Sequence, residues 1–266
     1  MTYVILECGS VARGDDNNNS DRDVLCIWNG EKPPYDSINK NYGETSFYSL
    51  SCIERMKDKG SLFLTHLDVD SKYLEGDSKL IGVFSGYRPS KKLIEMTLTD
   101  TIKFINEIIW FPNSPHGYYW LCDVLYISLR NCIFCINALD DRFLFGFEGA
   151  MQALPLSSDE ISTMLHIREV KYAFRLGKVD DAIKFNMKKI EEVSSKIIGS
   201  NVRFYSGGST HWNKDWRIDY WGERLIERSI INKEHDDSRF LLKLKDHRYH
   251  RNTLKTFMEN IIRSKA

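Results

Sequence analysis

The chain has 266 residues, of which 42% are apolar, 28% charged and 12% aromatic. This composition is typical of a soluble globular protein, and it excludes a largely disordered chain because the aromatic residues provide a core to bury. The 37 basic and 37 acidic side chains cancel, so net charge indicates no particular partner, and no stretch reaches the roughly 18 uninterrupted apolar residues of a membrane span.

The charges are distributed unevenly along the chain. Residues 1–90 carry 10 basic and 14 acidic side chains, a net charge of −4, whereas residues 201–266 carry 14 and 9, a net charge of +5. An acidic front and a basic tail indicate that metal binding or catalysis is separated from anion binding. Six cysteines lie in apolar surroundings. Cys132 and Cys135 have CxxC spacing, but no second pair completes a zinc site, which predicts buried free thiols in the reducing cytoplasm.

The first 90 residues have the pattern of a small α/β unit. Strands are predicted at TYVILEC, DRDVLCIW and ETSFYSL, with a further short strand at KLIGVFSGY. The segment EKPPYDSINKNYGE is rich in Pro, Asn and Gly and therefore predicts turns. A helix is predicted at SCIERMKDKGSLFLTHL, with an interruption near Gly60.

From about residue 90 the apolar period becomes helical. Three long helices are predicted, at KKLIEMTLTDTIKFINEIIW, YYWLCDVLYISLRNCIFCINAL and VDDAIKFNMKKIEEVSSKII, the last ended by Gly199. Ser157 and Glu160 predict a capping box ahead of a further helix. The predicted fold class is α+β, with a mixed-sheet domain over 1–90, a helical bundle over 91–200 and a basic helical extension over 201–266.

The segment between the first two strands, ECGSVARGDDNNNSDRDVLCIW, predicts an anion and metal site. Asp21 and Asp23 open a strand on which residues i and i+2 face one side, so their carboxylates repel unless a divalent cation lies between them. Hard oxygen ligands suit Mg²⁺ or Mn²⁺, with substrate phosphates completing the octahedron. Gly9 permits close approach to a phosphate, and Ser10 with the following amides can donate hydrogen bonds to it. This pattern indicates in-line phosphoryl or nucleotidyl transfer.

The stretch GSVARGDDNNNSDRD resembles the signature of the DNA polymerase β-like nucleotidyltransferase superfamily, Gly-Ser followed after about ten residues by Asp-x-Asp. It looks most like the minimal bacterial members, and KGSLFLTHLDVDSKYL, residues 59–74, is similar to the segment after their third strand. The resemblance is specific over residues 1–75 and only general beyond. It implies a palm-like sheet domain and metal-dependent transfer of a nucleoside monophosphate from an NTP or dNTP, with release of pyrophosphate.

The resemblance also implies roles for single residues. Gly9 and Ser10 would hold the β- and γ-phosphates, and Asp21 and Asp23 would be the catalytic ligands of two metal ions. The family's third carboxylate normally comes from the next strand, where this sequence departs from the pattern.

That strand, ETSFYSL, offers Glu44 and, on the same face, Ser46 and Tyr48. If the family's acid aligns with Ser46, it is absent, and Glu44 is then the best substitute as a catalytic residue. Asp68 and Asp70 are weaker candidates because they follow the GSLFLTHL helix. A missing third acid would put full catalytic activity in doubt.

Three further residues are expected at the nucleotide. Arg13 and Ser20 belong to the resembling signature. Helical domains of this family often supply a cation to the triphosphate, and Lys171, which shares a helix face with Arg168 and Arg175, is the candidate. A solvated basic face explains these three cations equally well.

The basic tail suggests a second partner. KLKDHRYHRNTLK, residues 243–255, and the upstream residues 212–224 mix aromatic and cationic side chains, as single-stranded nucleic acid requires for stacking and phosphate neutralisation. An amphipathic helix that buries its Trp residues explains the same pattern.

Four functions are open at this stage. The first is template-independent synthesis or extension of oligonucleotides, as in antiphage-defence members of the superfamily. The second is AMP transfer to a partner protein, as minimal antitoxins perform on a toxin. The third is an aminoglycoside-type adenylyltransferase, which the basic tail disfavours. The fourth is a nucleotide-binding protein without catalysis, and none of the four requires a membrane.

Overall fold

The chain is α+β in a computed structural model that describes residues 2–17, 22–180, 185–211, 220–234 and residue 260. It divides into two compact units, Met1–Asp100 with Arg130–Leu156, and Thr101–Leu129 with Ser157–Ala266. This division differs from the predicted three-part organisation. Residues 130–156 belong to the first unit, and two of the three boundaries fall inside long helices, Lys91–Glu107 and Pro115–Leu139.

The first unit contains a mixed four-stranded sheet. Up to residue 83, the elements of this unit are β1 (Thr2–Cys8), α1 (Gly9–Arg13), β2 (Asp23–Asn29), α2 (Tyr35–Tyr42), β3 (Thr45–Ser49), α3 (Leu50–Asp58), α4 (Leu62–Asp70), β4 (Lys72–Gly76) and a 3₁₀ helix (Ser78–Val83). The strand order is β3-β2-β1-β4. Strand β1 is antiparallel to both β2 and β4, whereas β2 and β3 are parallel.

The two faces of this sheet carry separate cores, because successive side chains of a strand point to opposite faces. On one face, buried residues of β1 and β2 pack with buried residues of α3 and α4, among them Leu6, Leu25, Ile53, Leu64 and Leu67. On the other face, Ile5, Val24 and Cys26 pack with Ile38 of α2. The first two predicted strands are therefore confirmed, and both faces of the sheet that they form are covered.

Three local predictions in the first unit have different outcomes. The interruption near Gly60 is confirmed, because α3 ends at Asp58 and α4 begins at Leu62. The turns predicted over EKPPYDSINKNYGE are wrong in part, since Tyr35–Tyr42 is helical with Pro34 as its N-cap. The strand predicted at KLIGVFSGY is also wrong: Ser78–Val83 is a 3₁₀ helix, and the fourth strand lies earlier, at Lys72–Gly76.

The remaining elements are mostly helical. They are α5 (Lys91–Glu107), β5 (Trp110–Phe111), α6 (Pro115–Leu139), α7 (Phe147–Gln152), α8 (Ser158–Arg175), α9 (Met187–Ile198), β6 (Tyr205–Ser206) and α10 (Tyr220–Ile231). The capping box of Ser157 and Glu160 is present. Gly199 ends α9 in a left-handed conformation, as predicted, but α9 begins only after its N-cap Asn186.

Among the residues that the structure describes, α6 is long and apolar enough to cross a membrane by length and composition. However, 72% of its most apolar window is buried inside the protein. A buried helix of this kind is also what the core of a soluble protein contains.

Candidate active site

Gly9 and Ser10 are the first two residues of α1 and follow directly on β1, so the chain turns here from strand to helix. Gly9 has φ +81°, and Cys8, the residue before it, pairs with Asp23 across the antiparallel β1–β2 ladder. A Cβ built on Gly9 would stand 2.5 Å from Asp23 Oδ2. The carboxylate of the exposed residue Asp23 therefore lies directly against Gly9, so the structure brings these two predicted residues together.

The neighbouring strand β3 places hydroxyl groups where a third carboxylate is expected. Leu25 pairs with Ser46 in the parallel β2–β3 ladder, so Ser46 and Tyr48 share the face of Asp23. Glu44 is exposed and comes immediately before the first residue of β3. Burial raises the pKa of Tyr48, its hydrogen bond with the Ser46 side chain opposes this, and the charge of Asp23 adds to the increase.

Arg13, at the end of α1, is engaged by protein groups. Its Nε donates to Asp15 Oδ1 at 3.1 Å, and its Nη1 donates to Asp70 Oδ2 at 3.2 Å. The same Nη1 lies 3.0 Å from His66 Nε2. Only 18% of the Arg13 side chain is exposed. As the structure stands, Arg13 is a link between α1 and α4.

The two carboxylates of α4 have different partners. Asp68 accepts hydrogen bonds from Arg88 Nη1 at 2.6 Å and from the Gly86 amide at 2.9 Å. Asp70 contacts Arg13 and His66 instead. Burial opposes the shift in both cases, but the hydrogen bonds and the charges of these partners hold the pKa of both carboxyl groups below the ordinary value.

The pKa of the Cys8 thiol depends on the charges that lie at the end of β1. Burial is the largest cause that raises its pKa to about 12, and the charge of Asp23 adds to it. Asp70 acts in the same direction, whereas Arg13 opposes it. Asp23 and Asp70 are thus both close to the residue that precedes Gly9.

Sequence reasoning missed the involvement of His66 and Asp70 with Arg13. The one available signal was their i,i+4 spacing on a predicted helix, which places two side chains on the same face. The pairing with Arg13, 53 to 57 residues away, is a tertiary contact that this spacing does not predict.

Other predicted residues lie in the second unit. The Lys171 ammonium is 4.3 Å from the ring centroid of Tyr172 and 5.6 Å from that of Tyr126. Trp221 stacks on Phe104 with centroids 4.2 Å apart, and Arg224 is buried. These last two members of the aromatic and cationic segment 212–224 therefore serve internal packing.

Several predicted residues lie outside the described part of the chain. They are Ser20, Asp21, the cations and Trp residues between positions 212 and 217, and the basic stretch 243–255.

The donor set beside Gly9 fits a hard divalent cation in chemical type. The carboxylate of Asp23 is exposed at the start of β2, and the absence of a side chain at Gly9 leaves it room. Within the described residues, which do not include Asp21, no group of three or more His, Cys, Asp or Glu side chains could hold a metal ion. A complete metal site would therefore need Asp21 or ligands from the substrate.

No protein-family model, curated protein or solved structure matches this chain.

Proposed function

We propose that the protein is a metal-dependent nucleotidyltransferase that moves a nucleoside monophosphate from an NTP or dNTP to a hydroxyl group and releases pyrophosphate. The single observation that carries this proposal is the contact between the Asp23 carboxylate and the Gly9 turn. A carboxylate for a cation and a backbone turn for a phosphate thus lie side by side, as a nucleoside triphosphate requires.

In this proposal, each residue of the turn has a distinct task. Asp23, with Asp21, holds Mg²⁺ or Mn²⁺. Gly9 leaves space for a phosphate, and Ser10 donates hydrogen bonds to it. The cation, when bound, neutralises charge on the triphosphate and stabilises the attacking and leaving oxygens. Glu44 is proposed as the third acid because it is exposed and directly precedes β3 beside β2.

The finer features remain part of the proposal. The sheet of the first unit would be a polymerase β palm-like domain, and the protein would act in the cytoplasm. The acceptor hydroxyl would belong to a nucleotide or oligonucleotide, so that the products are template-independent oligonucleotides of use in antiphage defence. Single-stranded nucleic acid, or an effector or toxin protein, would be the partner. AMP transfer to such a protein is the first alternative, and an aminoglycoside-type adenylyltransferase is the next.

The test is incubation of the purified protein with Mg²⁺ or Mn²⁺ and each labelled NTP and dNTP in turn, resolved on a denaturing gel. We expect a product ladder with at least one nucleotide, and its loss in Asp23→Asn. Asp36→Asn is the matched control, because Asp36 is also an exposed aspartate of the first unit but lies on α2. Full activity of Asp23→Asn would overturn the proposal.

A second candidate, nucleotide binding without catalysis, is favoured by one observation. The position of β3 that pairs with Leu25 on the face of Asp23 is Ser46, which has no carboxylate. This candidate predicts that NTP binds in calorimetry but is not turned over, and that Ser46→Asp gains activity. A wild-type protein that already makes product excludes it.

A further inference from the structure

His66, Asp70 and Arg13 form a closed triangle of contacts next to the Gly9–Ser10 turn. Arg13 Nη1 lies 3.0 Å from His66 Nε2 and 3.2 Å from Asp70 Oδ2, and His66 Nε2 lies 3.3 Å from Asp70 Oδ2. All three side chains are mostly shielded from solvent, with 18%, 19% and 11% of Arg13, His66 and Asp70 exposed. The triangle joins the end of α1 to the last turn of α4.

The chemistry of the triangle indicates how it is held. A guanidinium can only donate, so Arg13 Nη1 donates to Asp70 Oδ2. His66 Nε2 accepts from Arg13 in one tautomer and donates to Asp70 in the other. The ring of His66 stacks on Phe145 with centroids 4.8 Å apart and an interplanar angle of 26°. His66 is therefore fixed by a ring face and by a ring nitrogen, which leaves Arg13 little freedom to move.

Arg13 has a second anchor within its own turn. Its Nε and Nη2 contact Asp15, and a Cβ on Gly146 would stand 2.8 Å from Asp15 Oδ2. All three guanidinium nitrogens thus face protein acceptors, and one cation is shared between two carboxylates. A cation committed in this way is better suited to hold the fold than to bind a triphosphate.

The need for such an anchor follows from the length of α1. A helix of five residues cannot hold its shape alone, because the first turn costs more conformational entropy than one hydrogen bond returns. Asp23 packs against Gly9 at one end of α1, and the triangle holds Arg13 at the other. Helix α1, which begins with Gly9 and Ser10, is thereby held at both ends.

We propose that His66 and Asp70 are positioning residues of the transfer site, which act through Arg13 to fix the Gly9–Ser10 turn against the triphosphate. This inference rests on the nucleotidyltransferase function proposed above. It changes the expected role of Arg13 from a phosphate contact to the link between α4 and the turn. Displacement of a bound group by about 1 Å can cost on the order of 100-fold in rate, so loss of the link has a measurable effect.

The experiment compares Asp70→Asn, His66→Asn and Arg13→Met in steady-state transfer kinetics and in calorimetric titration with the NTP and Mg²⁺. We expect each variant to lower kcat/KM by roughly 10- to 100-fold, mainly through kcat, without tighter NTP binding. Asp36→Asn is the matched control, because Asp36 is an exposed aspartate of α2, which packs on the opposite face of the sheet from α4. It should retain kcat within about twofold.

The direction in which Asp70→Asn changes NTP affinity distinguishes a direct phosphate contact of Arg13 from a positioning role. If Arg13 contacts the triphosphate directly, Asp70→Asn frees the guanidinium and tightens NTP binding, which would overturn the inference. If Asp70 acts through Arg13, then Asp70→Asn has no further effect on kcat in an Arg13→Met background. Additive losses, or unchanged kcat in all three single variants, would also overturn it.

Failure of the proposed function has a different signature. A wild-type protein that neither binds nor transfers any nucleotide contradicts the proposed function, and this inference with it. A wild-type protein that transfers nucleotide, with an active Asp70→Asn variant, contradicts this inference alone.

Discussion

The Asp23 carboxylate lies so close to the Cα of Gly9 that no side chain fits between them. A Cβ at Gly9 would stand 2.5 Å from Asp23 Oδ2, a separation that real Cβ contacts essentially never show. Gly9 also has φ +81°, a conformation that costs an L-residue roughly 1–2 kcal/mol. The backbone conformation therefore favours glycine at this position, and any side chain here would also have to displace the Asp23 carboxylate.

Gly9→Ala should therefore reduce stability through its backbone conformation and should also reduce the affinity for NTP. We expect it to weaken NTP binding by at least about tenfold, which corresponds to 1.4 kcal/mol, because the new methyl group displaces Asp23. Gly30→Ala is the control, since Gly30 has φ +78° and nothing within 4 Å of its Cβ position. Chemical denaturation and NTP titration of both variants measure the two effects. Equal NTP affinity in the two variants would contradict the role given to the Gly9–Asp23 contact.

The cysteines allow a prediction about reactivity. Five of the six thiols are buried and Cys52 is partly exposed. Burial raises the pKa of Cys135 to about 12 and also raises that of Cys132, so neither member of the CxxC pair has thiolate character at neutral pH. We expect a thiol-reactive dye to label one fast equivalent in native protein, and none in Cys52→Ser. A second fast equivalent in the variant would contradict this burial pattern.

The sequence predicts the strands of the site better than its helices. Short runs of apolar and β-branched residues in TYVILEC and DRDVLCIW are a local property that predicts strands, and the structure covers both faces of the sheet that they form. By contrast, Pro33 and Pro34 look like turn residues, yet proline also suits the start of a helix, and α2 begins directly after Pro34. The same residue types therefore support two structures, and packing of Ile38 on the sheet decides between them.

At the candidate site, too, some features can be predicted from the sequence and others cannot. Gly9 and Asp23 can be predicted together because sequence spacing and strand pairing both place them at one end of the sheet. The different roles of Asp68 and Asp70 cannot be predicted from the sequence, because the two residues have the same chemistry and are two positions apart. Their distinction depends on which distant arginine each one meets, Arg88 or Arg13.

The second unit contains a buried ion pair whose loss should be costly. Asp123 is fully buried and accepts hydrogen bonds from Arg175 Nε at 2.9 Å and Nη2 at 2.6 Å, with Arg224 Nη1 at 3.5 Å. Asp123→Asn removes the negative charge that Arg175 pairs with inside the protein, whereas Arg224 keeps Glu227 Oε2 at 3.1 Å. We expect it to lower the free energy of unfolding by about 3–5 kcal/mol.

An exposed ion pair provides the comparison. Asp159 pairs with Lys189 at 2.6 Å, but 65% of the Asp159 side chain is exposed. Asp159→Asn should therefore cost less than about 1 kcal/mol. Urea denaturation of the two variants measures the difference, and equal costs would contradict the argument from burial.

The lowered pKa of Asp68 predicts how stability depends on pH. Burial opposes the shift, but hydrogen bonds from Arg88 and the Gly86 amide hold the folded pKa of Asp68 below its unfolded value of about 3.9. The unfolded state therefore binds more protons in acid, so this contribution is present above the unfolded pKa and is lost as pH falls through the folded pKa. One such group changes the free energy of unfolding by at most about 1.4 kcal/mol per pH unit.

We expect Asp68→Asn to be less stable than wild type at pH 7 and to approach it as the pH falls below about 4, in urea denaturation at a series of pH values. Arg88→Met should flatten the acid side of the profile in the same way, because it removes the other member of the pair. Profiles that stay parallel to wild type from pH 7 to pH 3 would show that Asp68 is not stabilised by Arg88, since a paired carboxylate must lose its contribution when it is protonated.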